Sequence, residues 1–257
     1  MVSILADYVE VHNLIVDGGA VFENYVKVTD GCFGGILVGT LFSNEHKNVK
    51  LINCTVRNCN SIGIIVVADD STVEGCNISN IGYYEHAVAF GISIGAFTGY
   101  YEGRVPGPSG CIVKENIITN CYTGIISSRT NNTNIVDNTL SNLLFLGVAN
   151  EICKNHTVSD NKIQNSADNG IDIQECKNIT VINNILICCG SKYVSNNGVS
   201  SAIFVGDDMN LDLSSNTVIE SNIIYGIYSN YSTNGSGIYA HHMSSLIIKN
   251  NIISDLT

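Results

Sequence analysis

Gly147-Val148-Ala149-Asn150 and Gly170-Ile171-Asp172-Ile173 are two copies of the motif that decides the fold. Each copy is a turn residue, usually Gly, followed by an apolar residue, a variable residue and a third position that is usually apolar. Successive copies are 23 to 35 residues apart. The eight copies lie at residues 35–38, 63–66, 91–94, 124–127, 147–150, 170–173, 202–205 and 237–240. Self-similarity at this period indicates a solenoid, in which each repeat packs only against its neighbours.

A second motif follows the copies of the first and ends in Asn-x-apolar. It aligns a column of asparagines, in which Cys54 and Cys76 take the place of Asn in the earlier copies. The column consists of Asn116, Asn138, Asn161, Asn184, Asn222 and Asn251. A buried amide can bond both to its own turn and to the equivalent amide one repeat away. We therefore assign this column a structural role.

Short runs of alternating apolar residues, separated by Gly, Asn, Asp and Ser, predict strands with one inward face. A repeat of 23 residues leaves no room for a helix. Stacking the repeats about 4.8 Å apart pairs their strands in parallel around one core. The sequence therefore predicts an all-β solenoid of about eight to nine coils, with residues 1–257 forming a single domain.

The two motifs resemble the repeats of the right-handed parallel β-helix (pectin-lyase-like) superfamily over about residues 34–257. This superfamily includes pectate lyases, polygalacturonases, mannuronan epimerases and phage tailspikes. The resemblance implies a right-handed parallel β-helix, a polysaccharide as partner, and a location outside the cell, on the cell surface or on a virion. The Asp-Pro-His-Asp motif of the epimerases is absent, and no catalytic residue can be carried over. Because an open β-helix exposes strand edges, we expect a segment of a longer protein or ends covered by partner chains.

The charge balance excludes two classes of partner. Twelve Lys and Arg against 23 Asp and Glu give a net charge of −11, which repels nucleic acid and anionic membranes. No apolar run approaches the roughly 20 residues that span a bilayer.

The ten cysteines contain no CxxC pair and are not spaced like a disulfide scaffold. We interpret them as buried thiols, and we predict no metal site and no cofactor.

The motif also predicts which side chains of each coil face the solvent. If its two apolar residues point inward, the residue between them and the residue after the second point to solvent. The middle position reads, from coil to coil, Leu37, Ile65, Ser93, Ile126, Ala149, Asp172, Phe204 and Tyr239. We predict a polar stripe on the later coils, about 20 Å long, which suits an elongated sugar polymer. The apolar face of the earlier coils is expected to be covered by the insertion at 97–109 or by other subunits of a homotrimer.

The stripe supplies the candidate site residues. The candidate catalytic residues are Glu151, Asp172, Glu175, Asp207, Tyr239 and His241. The candidate substrate-binding residues are Arg129, Gln174, Phe204, Asp208 and His242. Glu151 and Asp172 fall on adjacent coils, so we expect their carboxyl groups about 5 to 9 Å apart, the range of paired-carboxylate glycoside hydrolysis. One would protonate the leaving oxygen and the other would act as nucleophile or activate water; the sequence leaves open which does which. Phe204 and Tyr239 are expected to be exposed platforms for sugar rings.

Two other functions compete with hydrolysis. In a polysaccharide lyase or epimerase acting on a uronate polymer, Tyr239, His241 and Arg129 would transfer protons, and acidic residues or a Ca²⁺ ion would neutralise the uronate. In a non-catalytic spike or surface module, the stripe would bind glycan or other subunits. Polar residues also occupy the solvated face of any β-helix, so the fold alone does not choose between these functions.

Overall fold

Three parallel sheets of nine strands each run through the computed structural model and confirm the predicted parallel β-helix, with nine coils. The structure describes residues 1–23, 26–29, 31–40, 45–82, 89–95, 107–190, 201–206, 214–227 and 235–256. Each coil contributes one strand to each sheet, and the strand Val2–Ile4 lies one coil before the first copy of the motif. Within these ranges, no α-helix has the length and hydrophobicity of a membrane span.

Sheet A carries the motif. Its strands are β1 (Val2–Ile4), β6 (Gly34–Val38), β9 (Ile62–Val66), β12 (Phe90–Ile94), β15 (Thr123–Ser128), β18 (Val148–Glu151), β21 (Ile171–Gln174), β24 (Ser201–Gly206) and β27 (Ser236–Ala240). Sheet B consists of β2 (Glu10–His12), β7 (Lys50–Ile52), β10 (Thr72–Glu74), β13 (Ile112–Lys114), β16 (Asn134–Val136), β19 (Lys154–Ser159), β22 (Lys177–Ile182), β25 (Ser214–Glu220) and β28 (Met243–Lys249).

Sheet C completes each coil. Its strands are β3 (Ile15–Asp17), β8 (Thr55–Cys59), β11 (Asn77–Ile81), β14 (Ile117–Cys121), β17 (Thr139–Leu143), β20 (Lys162–Ser166), β23 (Ile185–Ile187), β26 (Ile223–Ile227) and β29 (Ile252–Leu256). A short antiparallel hairpin, β4 (Val21–Glu23) and β5 (Val26–Thr29), is inserted between the first and second coils.

The glycine that opens the motif is required by close packing between coils. A Cβ on Gly147 would lie 2.2 Å from the carbonyl oxygen of Gly170 and 2.7 Å from a side-chain carbon of Ile163. A Cβ on Gly124 would meet the carbonyl of Gly147 at 2.6 Å in the same way. The backbones of adjacent coils are therefore in contact here, which explains why this position repeats as Gly.

The asparagine column is a continuous buried ladder, as predicted. The side-chain nitrogen of Asn138 donates to the side-chain oxygen of Asn161 at 2.9 Å and to the carbonyls of Val113 and Val136 at 2.9 and 3.0 Å. Its own oxygen accepts two hydrogen bonds from Asn116. These bonds cross from coil to coil and fix the register of the stack.

Candidate functional site

The register of sheet A brings the predicted columns together. Asp172 on β21 pairs with Ala149 on one side and with Phe204 on the other, and Phe204 pairs with Tyr239. In the neighbouring column, Gln174 lies between Glu151 and Gly206. Residues far apart in the chain thus share one wall of the solenoid.

The prediction that the middle column is exposed to solvent is wrong. Its side chains do point away from the core, because the flanking Ile171 and Ile173 belong to the core cluster. However, Asp172 and Phe204 are each only 4% exposed, so Phe204 is no exposed platform. On the earlier coils the column is buried as well, because most of its members belong to a second apolar cluster on this face. It consists of Leu37, Ile62, Ile65, Val67, Phe90, Ile126, Leu146 and Ala149.

This outer apolar cluster is buried within a single chain. Of the insertion predicted to cover it, residues 97–106 lie outside the described part of the chain. Residues 107–109 are described, and the backbone nitrogen of Gly107 donates to the carbonyl of Arg129 at 2.9 Å. Asp172 follows Ala149 in the column, so on that side it borders the buried apolar cluster.

Asp172 is a buried carboxyl with an incomplete set of partners. Its Oδ2 accepts hydrogen bonds from Asn169 Nδ2 at 3.0 Å and from Gln174 Nε2 at 3.3 Å. Its Oδ1 is buried and has no hydrogen-bond partner among the described residues. Burial raises the pKa of Asp172 to about 7, and the negative charges of Asp168 and Glu151 add to this rise, against the two hydrogen bonds. Near neutral pH the side chain therefore exists in both protonation states.

Asn169 holds Asp172 in place and was not predicted from the sequence. Its Oδ1 accepts hydrogen bonds from the backbone nitrogen and the hydroxyl of Ser201, on the next coil, at 2.9 and 3.0 Å. This orients its amide nitrogen toward Asp172. The turn before β21 and the strand β24 on the next coil therefore cooperate in positioning one carboxyl group.

Asp168 was not predicted from the sequence either. Its backbone nitrogen donates to the carbonyl of Phe145, and the nitrogen of Phe145 donates to that of Tyr122, so these residues are equivalent in successive coils. The rings of Tyr122 and Phe145 are 5.3 Å apart. Asp168 is buried and takes the place of these two aromatic residues on the coil that carries Asp172.

Glu151 ends β18 and is half-buried. It lies one strand away from Asp172 and two residues further along, a diagonal for which Cα positions are about 7 to 8 Å apart. The charge of Glu151 contributes to the raised pKa of Asp172. The two predicted carboxyl groups are therefore close enough to interact.

The last coils add an aromatic group to this wall. The rings of Phe204 and Tyr239 are stacked 5.8 Å apart with an interplanar angle of 26°. His241 lies 6.1 Å from Tyr239 at 14°, and His242 meets His241 edge-on at 3.8 Å. Tyr239 and His241 are half-buried, and His242 is exposed.

The remaining predicted residues are more scattered. Arg129 is exposed and Glu175 is half-buried, and both occupy left-handed turn positions after sheet A, with φ of 59° and 53°. Arg129 is four coils from Tyr239, about 19 Å at the usual strand spacing, so the proton-transfer trio of the lyase hypothesis does not meet at one point. Asp207 and Asp208 lie outside the described residues. In the described ranges, no group of three or more His, Cys, Asp or Glu is arranged to hold a metal ion.

A family model described as "Right handed beta helix region" matches residues 38–234. A search of curated proteins finds no significant match. Among solved structures, the chain is similar to the GH136 lacto-N-biosidase from Eubacterium ramulus, with 12% identity and a TM-score of 0.64 over 96% of this chain and 49% of that one. The sequence identity is so low that this likeness shows the fold alone.

Two further structures share the fold. A variant of the tailspike protein of E. coli bacteriophage HK620, in complex with a pentasaccharide, has 12% identity and a TM-score of 0.61 over 98% of this chain and 44% of that one. The A-module of the Azotobacter vinelandii mannuronan C-5 epimerase AlgE6 has 12% identity and a TM-score of 0.55 over 96% and 74%. The chain spans about half the length of the lacto-N-biosidase and less than half the length of the tailspike.

Proposed function

The chain belongs to the right-handed β-helix family, and we propose that it is a carbohydrate-active member, which binds a polysaccharide and cleaves it by paired-carboxylate glycoside hydrolysis. One observation carries the proposal: Asp172, a buried carboxyl with a pKa raised to about 7, lies on the coil next to Glu151. Two carboxyl groups in different environments are what general acid catalysis of glycoside cleavage requires.

The environments of the two groups suggest their roles. Asp172 keeps its proton to a higher pH than an ordinary aspartate, so it is the general acid that protonates the leaving glycosidic oxygen. Glu151 is half-buried, and it is the nucleophile or the base that activates water on the other side of the sugar ring. Asn169 and Gln174 position Asp172 and do not themselves react.

The aromatic group supplies the binding surface in this proposal. Tyr239 and His241 extend from the buried Phe204 toward solvent, two coils from Asp172. The apolar faces of sugar rings stack on such side chains. The solved structures of similar fold include a lacto-N-biosidase and a tailspike in complex with a pentasaccharide. Both support a glycan as the ligand class, and the tailspike supports a location outside the cell or on a virion.

The test is reducing-end release from a panel of neutral and acidic polysaccharides. We expect Asp172→Asn and Glu151→Gln each to lower the rate about 10²–10³-fold. Glu220→Gln is the matched control, because Glu220 pairs with Lys249 on sheet B, away from the stripe. Full activity in either site variant would refute the assignment. A gain in the absorbance of unsaturated uronate, without water consumption, would indicate a lyase instead.

The low exposure of Asp172 favours a second candidate, a non-catalytic module that binds glycan. In that case the carboxyl serves packing, and the half-buried Tyr239 and His241 carry the binding. Oligosaccharide binding lost in Tyr239→Ala but unchanged in Asp172→Asn, together with no product from any polysaccharide of the panel, would select this candidate.

A further inference from the structure

Two thiols face each other where the first coil meets the second. The Sγ atoms of Cys32 and Cys59 are 3.9 Å apart. Cys59 is the last residue of β8, and Cys32 precedes β6, after the inserted hairpin. A disulfide would bring these two sulfur atoms from 3.9 Å to the bonding distance of about 2.0 Å.

The backbone around Cys32 is held by the second coil. The amide nitrogen of Asn60 donates to the carbonyl of Cys32 at 2.9 Å. The side chain of Asn60 accepts from the nitrogen of Gly31 at 3.0 Å and donates to its carbonyl at 2.8 Å. These bonds hold the backbone of Cys32 beside Cys59, so the two thiols are already adjacent in the folded protein.

Access distinguishes this pair from the other stacked thiols. Cys153 and Cys176 also lie on adjacent coils, with the nitrogen of Cys153 3.2 Å from the sulfur of Cys176, but both are fully buried. Of the ten cysteines, only Cys32 and Cys188 are half-buried, and the others are buried. Cys32 is therefore the more exposed member of its pair.

We infer that Cys32 and Cys59 form a disulfide in an oxidising environment and so tie the first coil to the second. The thiolate of Cys32 attacks a small dissolved disulfide, such as oxidised glutathione, which gives a mixed disulfide and one free thiol. The sulfur of Cys59, after losing its proton, then attacks the sulfur of Cys32 and displaces the second glutathione thiol. In total two protein thiols are oxidised and one external disulfide is reduced to two thiols.

A disulfide between Cys32 and Cys59 would join the first coil covalently to the second. Within the described chain, the strands of the first coil pair with the second coil alone. The disulfide would close a covalent ring around one complete coil, β6 to β8, and would hold the first coil against it.

Peptide mapping of the whole chain tests the inference. The folded protein is incubated with oxidised glutathione, free thiols are then blocked with N-ethylmaleimide, and the peptides are identified by mass spectrometry. We expect a peptide that links Cys32 to Cys59, and glutathione attached to Cys188. In hydrogen exchange, residues 2–17 should exchange at least about tenfold more slowly after oxidation.

Two variants complete the test. Cys32→Ser should abolish the linked peptide and the difference in melting temperature between oxidised and reduced protein. Cys121→Ala removes a buried thiol two coils further along the column of Cys59 and should leave that difference intact. Glutathione retained on Cys32 with Cys59 still open to blocking after unfolding, or Cys32 linked to another cysteine, would overturn the inference.

Discussion

The outer face of sheet A carries two different chemistries on one continuous backbone. On the second to sixth coils the middle column is Leu37, Ile65, Ser93, Ile126 and Ala149, and on the last three it is Asp172, Phe204 and Tyr239. The strand register does not change between the two regions. The glycine column and the buried asparagine ladder therefore hold the coils in place, and the outward column is free to differ from coil to coil.

Asp172 lies at the boundary of the two regions. The apolar cluster reaches it through Ala149, and the polar side chains reach it through Asn169 and Gln174. Burial raises the pKa of Asp172, and so do the charges of Asp168 and Glu151, while the hydrogen bonds from Asn169 and Gln174 lower it. The proposed acid depends on both regions, and substitutions on either side can separate their contributions.

The largest effect is expected where a charge is placed in the apolar region. Ile126 is 2% exposed, and Ile126→Asp should lower the free energy of unfolding by about 5 kcal/mol, because the carboxylate has no partner there. Urea unfolding at pH 8 measures this. Ile126→Asn is the control, since it changes the shape similarly without a charge. Equal losses in both variants would show that the apolar face tolerates charge and that burial is not what sets the pKa of Asp172.

The second effect concerns the charge that the protein already buries. The folded pKa of Asp172, about 7, is above the ordinary value of 3.8, so its unfavourable contribution is absent below pH 3.8 and complete above pH 7. Asp172→Asn should therefore gain stability relative to the parent as pH rises from 4 to 8, by about 4 kcal/mol at most. Thermal or urea unfolding of both proteins across this range tests it. A difference that stays constant with pH would mean that the carboxyl is not perturbed.

A smaller difference is expected between the two stacked aromatics. Phe204 is 4% exposed and Tyr239 is half-buried. Phe204→Ala should cost about 3 kcal/mol of unfolding free energy, as for a core residue. Tyr239→Ala should cost less stability but more glycan affinity, because only its ring reaches solvent. Unfolding and oligosaccharide binding are measured on both variants. If Phe204 were the binding surface, Phe204→Ala would lose more glycan affinity than Tyr239→Ala.

Most of the fold could be predicted from sequence because its determinants are local and repeated. Gly at each motif start, one inward apolar face per strand, and the asparagines at one turn recur in nearly every coil, so the register of Asp172 beside Ala149 and Phe204 followed from spacing alone. The first coil was harder to predict from the sequence, because Val2-Ser3-Ile4 keeps the apolar alternation but lacks the glycine of the motif.

The burial of the site could not be predicted in the same way. Strand periodicity says which side chains leave the core, but not whether other parts of the chain then cover them. Asp172 and Phe204 were therefore placed in the correct column and given the wrong exposure. Asp168 and Asn169 escaped notice because they precede the motif, at a turn where periodicity carries no information.

The smallest effect tests how the polar region tunes its acid. Asn169 donates to Asp172, and this hydrogen bond lowers the pKa of Asp172 against the rise from burial. Asn169→Ala should therefore raise that pKa further, by about 1, and should move the pH dependence of stability and of cleavage toward alkaline pH. Ser201→Ala should produce a weaker shift in the same direction, because the backbone nitrogen of residue 201 still holds Asn169. The two variants are compared by following the Asp172 carboxyl carbon in NMR titrations. A titration midpoint that is unchanged or moves toward acid in Asn169→Ala would mean that the apolar region alone sets the protonation of Asp172.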